Sequence, residues 1–262
     1  LGKPFSDQEL GSTVRNLLSL KTREREVESL NRMLTENVLK RYLPPELVDQ
    51  IVSGETCLEQ EPKGTTATIL FSDLVGFTEL SGQIRASKMA RLLNEYLEVM
   101  NEIIFEHGGT VDKFMGDGIM VIFGAPTESS TREQADHAAR CALAMQKGMR
   151  ELNQTWATQD LPNFEMRIGI HQGSLVVGTF GSKRRSDYTA IGPTVNIASR
   201  IETVCEPGAV FVSRELCDLL PEDMSTEAGE FEFKGIEGTQ SIFRLLESTE
   251  GAVYKALTPA ST

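Results

Sequence analysis

The stretch Thr110-Val111-Asp112-Lys113-Phe114-Met115-Gly116-Asp117-Gly118-Ile119-Met120-Val121-Ile122-Phe123 reads as two short strands folded across Gly116-Asp117-Gly118. β-Branched and large apolar residues fill both arms, and Asp-Gly is a favoured dipeptide of tight hairpin turns. Working towards the amino end, residues 88–107 carry Leu92, Leu93, Tyr96, Met100, Ile103 and Ile104 at helical spacing, closed by Gly108-Gly109. Before that helix, residues 66–71 form an apolar, β-rich run. Towards the carboxyl end, residues 132–153 predict a second long helix. Residues 164–171 and 175–179 predict a further hairpin around Gln172-Gly173-Ser174, and residues 187–191 a short strand. Residues 193–202 predict a helix with proline in its first turn. Two or three lesser strands and one more helix finish the domain. The order β-α-β-β-α-β predicts an α+β, ferredoxin-like domain with helices over one face of a mostly antiparallel sheet.

Composition narrows the function classes. The chain is 40% hydrophobic and 24% charged, which is ordinary for a soluble globular protein. Its formal charge of −12 argues against a nucleic-acid partner, because phosphate binding wants a basic face. A nucleotide enzyme tolerates such a total if its pocket is locally basic or holds a divalent metal. Cys57, Cys141, Cys205 and Cys217 include no C-x-x-C pair, which argues against zinc and for a reduced, cytoplasmic setting. No apolar run approaches the roughly 18 residues of a membrane span, so no direct membrane contact is expected. The start, Leu1-Gly2-Lys3-Pro4-Phe5, does not read as a signal peptide. It lacks an initiator Met, and we expect a piece of something longer.

Four segments are expected. Residues 1–12 read as a loop entering a helix. Residues 13–43 are one helical stretch in which Leu20, Val27 and Leu34 recur every seven, with Leu30 between them. That pattern suits a short coiled coil and a solvated amphipathic helix about equally. Pro44-Pro45 ends it, and a short helix over 46–52 follows. The helical linker thus covers 13–62, the main domain 63–247, and a tail of weakly structured composition 248–262.

Several polar residues invite a chemical reading. Asp73 ends the first strand and precedes Gly76-Phe77-Thr78, a glycine-containing turn into a helix. A carboxylate beside the backbone N–H groups of a helix start suits a metal and phosphate corner; a helix-capping aspartate is the plain alternative. Asp117 sits in the hairpin turn, where Asp-Gly also needs no function. Two short acids on neighbouring strand ends are what a two-metal site requires. Simple alternation puts Val111, Lys113, Met115 and Asp117 on one strand face. Lys113 lies four residues, about 13 Å of strand, from Asp117, too far to pair with it. A lysine snorkelling to water is its plain reading. Asn196 and Arg200 are four apart on one helix and share a face. Arg200 offers a fork of donors suited to phosphate oxygens.

Together, Phe71-Ser72-Asp73-Leu74-Val75-Gly76-Phe77-Thr78, residues 113–118, Arg167-Ile168-Gly169-Ile170-His171-Gln172-Gly173 and Ile191-Gly192-Pro193-Thr194-Val195-Asn196-Ile197-Ala198-Ser199-Arg200 resemble the class III adenylate and guanylate cyclases. The resemblance spans about residues 63–247. It implies that Asp73 and Asp117 bind two divalent metal ions, Mg²⁺ or Mn²⁺. It implies that Lys113 and Thr189 read the purine, with threonine where many members carry aspartate. Asn196 and Arg200 would orient the ribose and stabilise the transition-state phosphate, and residues 76–78 would touch substrate.

The implied enzyme is an adenylate cyclase converting ATP to cyclic AMP and pyrophosphate, working as a homodimer whose subunits share each active site. None of the matched residues is placed as a general base. Lys113 argues against guanine, because a cation cannot accept from the guanine N1–H. A guanylate cyclase or an inactive nucleotide-binding domain are the alternatives. A diguanylate cyclase is disfavoured, since Gly116-Asp117-Gly118-Ile119 does not match its signature. The threonine variant resembles a subgroup often activated by bicarbonate. Lys234, in Phe233-Lys234-Gly235, falls loosely where a triphosphate lysine would lie, and a surface lysine suits it better. Residues 3–18 resemble the last turn and helix of a response-regulator receiver domain. The helix over 13–43 would then pass an upstream signal to the dimer.

Overall fold

The structure is a computed structural model and describes residues 7–35, 45–54, 61–182, 184–236 and 238–247. The chain divides into two compact units, Leu1–Leu58 and Glu59–Thr262. In the first, α1 (Asp7–Leu34) is one continuous helix and α2 (Pro45–Ser53) a short one. The helix is under way by Asp7, so no break separates residues 12 and 13. Leu20, Val27, Leu30 and Leu34 all stand exposed along it, as the heptad positions of an unpaired chain must. Residues 36–43, Cys57 and the tail beyond 247 lie outside the described residues, as do Lys3-Pro4-Phe5-Ser6 of the receiver-like segment. Among the described residues no helix is long and apolar enough to cross a membrane.

The second unit is built on one sheet. Its strands are β1 (Lys63–Leu74), β2 (Thr110–Met115), β3 (Gly118–Phe123), β4 (Met166–Ser182), β5 (Arg185–Ile191), β6 (Val210–Ser213), β7 (Ser225–Glu232) and β8 (Thr239–Leu245). They lie in the order β2-β3-β1-β4-β6-β8-β7, with β5 paired to the far half of β4. Every described pairing is antiparallel except β4 with β6. The expected ferredoxin-like order is therefore present in β1 to β4.

Helices α4 (Ala86–Glu106) and α5 (Thr131–Ala157) cover one face. Their apolar stripes, Leu92, Tyr96, Met100 and Ile104 with Ala138, Ala142, Met145 and Met149, meet Leu70, Leu74, Val121, Ile168 and Ile170. Strand period two sends the alternate residues, Ala67, Ile69 and Phe71, to the other face. There they join Met120, Ile122 and Ala198. Ala198 belongs to α6 (Pro193–Val204), so the structure adds a helix on the second face to the two long ones on the first. Short helices α3 (Phe77–Ser81) and α7 (Arg214–Cys217) complete the unit.

Two local expectations change. Residues 164–179 do not form a hairpin; β4 runs unbroken through Gln172-Gly173-Ser174 and pairs with β1 from Leu74↔Met166 to Lys63↔Val177. Gly173 is there for space, since a Cβ would lie 2.8 Å from Thr194 Oγ1. Nor does simple alternation hold in β2. Val111 pairs with Val121 but Lys113 with Met120, a β-bulge at Asp112. Val121 faces the core under α4 and α5, whereas Met120 faces the α6 side. The bulge therefore puts Lys113 on the face opposite Val111.

Candidate active site

Asp73 leaves the sheet on the α6 side. Its register partner on β4 is Arg167, whose Nη2 lies 3.0 Å from Asp73 Oδ2. Helix α3 starts after Gly76, which has φ of 74° and makes no side-chain cap bond, so Asp73 is not a helix cap. Arg167 Nε also lies 2.6 Å from Glu202 Oε1, an ion pair too poorly aligned for a directed hydrogen bond. Burial pushes the Glu202 carboxyl up to about 7 against the pull of Arg167.

Asp117 joins this cluster from the β2–β3 turn. Its Oδ2 accepts a hydrogen bond from the Leu74 backbone N–H at 3.1 Å. Burial, and then the charge of Asp73, push its carboxyl up to about 6. Two carboxylates close enough to raise a pKa form a place where a cation is favoured. Their hard oxygen donors suit Mg²⁺ or Mn²⁺. Among the described residues no group of three His, Cys, Asp or Glu side chains could hold a metal ion. The pair thus fits ions whose remaining ligands are water and substrate oxygens, as nucleotide-bound Mg²⁺ usually has.

Phe77 packs its ring against Phe164, with centroids 5.7 Å apart, and so leaves chiefly its backbone for a ligand. Thr78 is exposed. The remaining candidates lie in two other places. Asn196 is exposed and Arg200 half-buried on α6, and neither side chain makes a hydrogen bond or ion pair among the described residues. Lys113 and Thr189 meet at Asp112. Thr189 Oγ1 donates to Asp112 Oδ2 at 2.8 Å, and Lys113 Nζ lies 3.3 Å from the same oxygen. No described hydrogen bond or ion pair links this trio to Asp73 or Asp117. Lys234 is exposed in the turn after β7.

Sequence reasoning missed three charged residues. Glu202 occupies a position of the α6 stripe otherwise filled by Ala198 and Ile201, and a lone acid on an apolar helix face was a readable signal. Arg167 required the β1–β4 register, and Asp112 required the bulge.

Residues 59–247 match the family described as the adenylate and guanylate cyclase catalytic domain. The chain belongs to that family, and this domain is a class III cyclase domain. Adenylate cyclase 1 of Rhizobium meliloti (strain 1021) is 37% identical over 62% of this chain and 24% of its own length. Adenylate cyclase of Anabaena cylindrica is 36% identical over 64% of this chain and 33% of its own. Human retinal guanylyl cyclase 2 is 31% identical over 91% and 21%. The chain therefore spans at most a third of the length of these relatives. Among solved structures, the adenylyl cyclase CyaB from P. aeruginosa is similar with a TM-score of 0.71 and 39% identity, over 73% of this chain and 98% of that one. The guanylyl cyclase Cya2 has a TM-score of 0.67 and 37% identity, over 71% and 94%.

Proposed function

We propose that this domain converts ATP to 3′,5′-cyclic AMP and pyrophosphate, as a homodimer with two shared active sites. The observation that carries the reading is the Asp73–Asp117 carboxylate pair, which no described hydrogen bond or ion pair joins to the Lys113–Thr189 cluster of the same subunit. One subunit then supplies the acids and its partner supplies the base contacts, Asn196 and Arg200. Bound divalent ions would lower the pKa of the ribose 3′-hydroxyl and neutralise charge on the triphosphate. Asp73 and Asp117 would hold them. Asn196 positions the ribose so that its 3′-oxygen lies in line with the α-phosphorus. Arg200, free of any described partner, meets the charge that grows on the phosphate in the transition state. The backbone at residues 76–78 faces the triphosphate.

Lys113 and the adenylate cyclase relatives support ATP over GTP, although similarity to guanylyl cyclases is also substantial. Chromatographic product analysis with ATP and GTP in competition, with Mg²⁺ or Mn²⁺, tests the reading. Cyclic AMP should dominate, and Asp117→Ala should abolish it without unfolding the protein. Cyclic GTP as the main product would make this a guanylate cyclase; no cyclic product with nucleotide still bound would make it a binding domain. Activation by bicarbonate rests on Thr189, and initial rates at fixed pH with and without bicarbonate decide it. The α1 helix would pair in parallel to pass a signal to the dimer.

A further inference from the structure

We propose that Asp112 is a positioning residue that sets nucleobase selectivity, by fixing Thr189 as a hydrogen-bond acceptor and Lys113 as a charged donor. The inference rests on the reading of Lys113 and Thr189 as base contacts.

The bulge in β2 makes Asp112 the extra residue of its strand, and bulges re-aim side chains at sites. Its side chain is only 1% exposed. One carboxylate oxygen, Oδ2, takes both the Thr189 hydroxyl and the Lys113 ammonium. The other, Oδ1, is buried with no hydrogen-bond partner. Burial raises the carboxyl, and Thr189 and Lys113 work against that rise.

An ionised carboxylate accepts hydrogen bonds and donates none, and a threonine hydroxyl has a single proton to give. With that proton committed to Asp112, Thr189 offers a ligand only its lone pairs. Lys113, 43% exposed at its side chain, still has donors for a ligand. The two readers thus present an acceptor and a donor. Adenine matches them with its 6-amino group and its N1 lone pair. Guanine opposes both, with an oxygen at position 6 and a proton on N1. A free threonine could turn its hydroxyl to suit either base; this one cannot. A role limited to tying β2 to β5 would affect stability and leave selectivity alone.

The test compares Asp112→Asn, Thr189→Val, Lys113→Ala and the unaltered protein. Each is assayed for kcat/KM with ATP and GTP, and for inhibition constants of 3′-deoxy-ATP and 3′-deoxy-GTP, beside its thermal midpoint. Asp112→Asn can donate to Thr189 and so release its proton. The ATP:GTP selectivity should fall at least about tenfold. Thr189→Val should weaken 3′-deoxy-ATP yet leave 3′-deoxy-GTP binding equal or tighter, because a lone-pair clash is removed. If folded Asp112→Asn keeps the full selectivity, or Thr189→Val weakens both analogues alike, the proposal on Asp112 is overturned while the base-contact reading stands. If Thr189→Val and Lys113→Ala both leave the selectivity unchanged, the base-contact reading itself fails and takes this proposal with it. Should Asp112→Asn fail to fold, the Thr189→Val comparison alone decides.

Discussion

Arg167 bridges Asp73 and Glu202, with Nη2 at 3.0 Å from the first and Nε at 2.6 Å from the second. The acid proposed to hold a metal is thus already held by a cation of its own chain, and that cation is anchored by a nearly buried glutamate on the helix that carries Arg200. The bridge ties β1, β4 and α6 into one piece.

Arg167→Ala should therefore destabilise the fold, chiefly by leaving Glu202 buried without a partner. Breaking such a pair costs about 3 kcal/mol when both groups are well buried, and we expect about 2 here because Arg167 is partly exposed. The single tryptophan, Trp156, is buried and reports unfolding by fluorescence in a denaturant titration. Adding Glu202→Gln should recover at least half of the loss. No recovery would mean that the cost comes from packing of the arginine stem instead.

The pH dependence of stability should carry the mark of Asp117. Its folded-state value of about 6 lies above the roughly 3.9 of an unfolded aspartate. Between those values the folded protein holds more of the proton, so stability falls as pH rises through that window and the cost is complete above it. A fully buried group would lose about 3 kcal/mol over such a shift. Asp117 is half-exposed, and with solvent screening we expect about 1. In chelator-treated protein, Asp117→Asn should be the more stable form at pH 7.5 and lose that advantage below about pH 4. Mn²⁺ should raise the thermal midpoint of the unaltered protein at pH 7.5 and of Asp117→Asn much less. Equal midpoints in all four conditions would refute the assignment.

Much of this was legible in the sequence, and the limits have physical causes. The two long helices announce themselves by period, because each buries a single stripe such as Leu92, Tyr96 and Met100. The β2–β3 hairpin is visible in Gly116-Asp117-Gly118. The supposed turn at Gln172-Gly173-Ser174 failed because a glycine can mark a close approach as readily as a bend. The expectation that Lys113 shares a face with Val111 fails because a bulge shifts alternation by one residue and leaves no sign in composition. Of the site, the residues with a free chemical end, Asn196 and Arg200, could be named. Arg167 and Asp112, which contact the candidate residues Asp73 and Thr189, depend on strand register and on a bulge and could not, whereas Glu202 left a readable sign as the lone acid in the α6 stripe.

If each site draws its acids from one subunit and its arginine from the other, two dead variants should rescue one another. Asp117→Ala and Arg200→Ala should each be inactive alone. Mixed in equal amounts and allowed to exchange, half of the dimers carry one of each. In every such dimer one site bears both defects and the other bears none. Activity should return to about a quarter of the unaltered level. Mixing Asp73→Ala with Asp117→Ala should restore nothing, because both lesions lie on the same side of each site. Rescue in that second mixture, or none in the first, would contradict shared sites.

The position of α6 depends on one absent side chain. A Cβ on Gly169 would overlap Glu202 N and lie 2.6 Å from Glu202 Cα and 2.8 Å from Ala198 O. All three are backbone atoms, so no rotamer change can make room, and the helix itself must lift from β4. Gly169→Ala should cost about 3 kcal/mol, the upper part of the range for overpacked sites. Asn196 and Arg200 ride on that helix, so the displacement should also lower kcat by about tenfold or more while changing KM less. Gly64→Ala, where a Cβ meets nothing within 4 Å, is the matched control and should change neither quantity. A Gly169→Ala protein with normal stability but reduced kcat would separate helix position from fold energy. Normal values of both would show that α6 is free to shift, and that the close approach at Gly169 positions nothing.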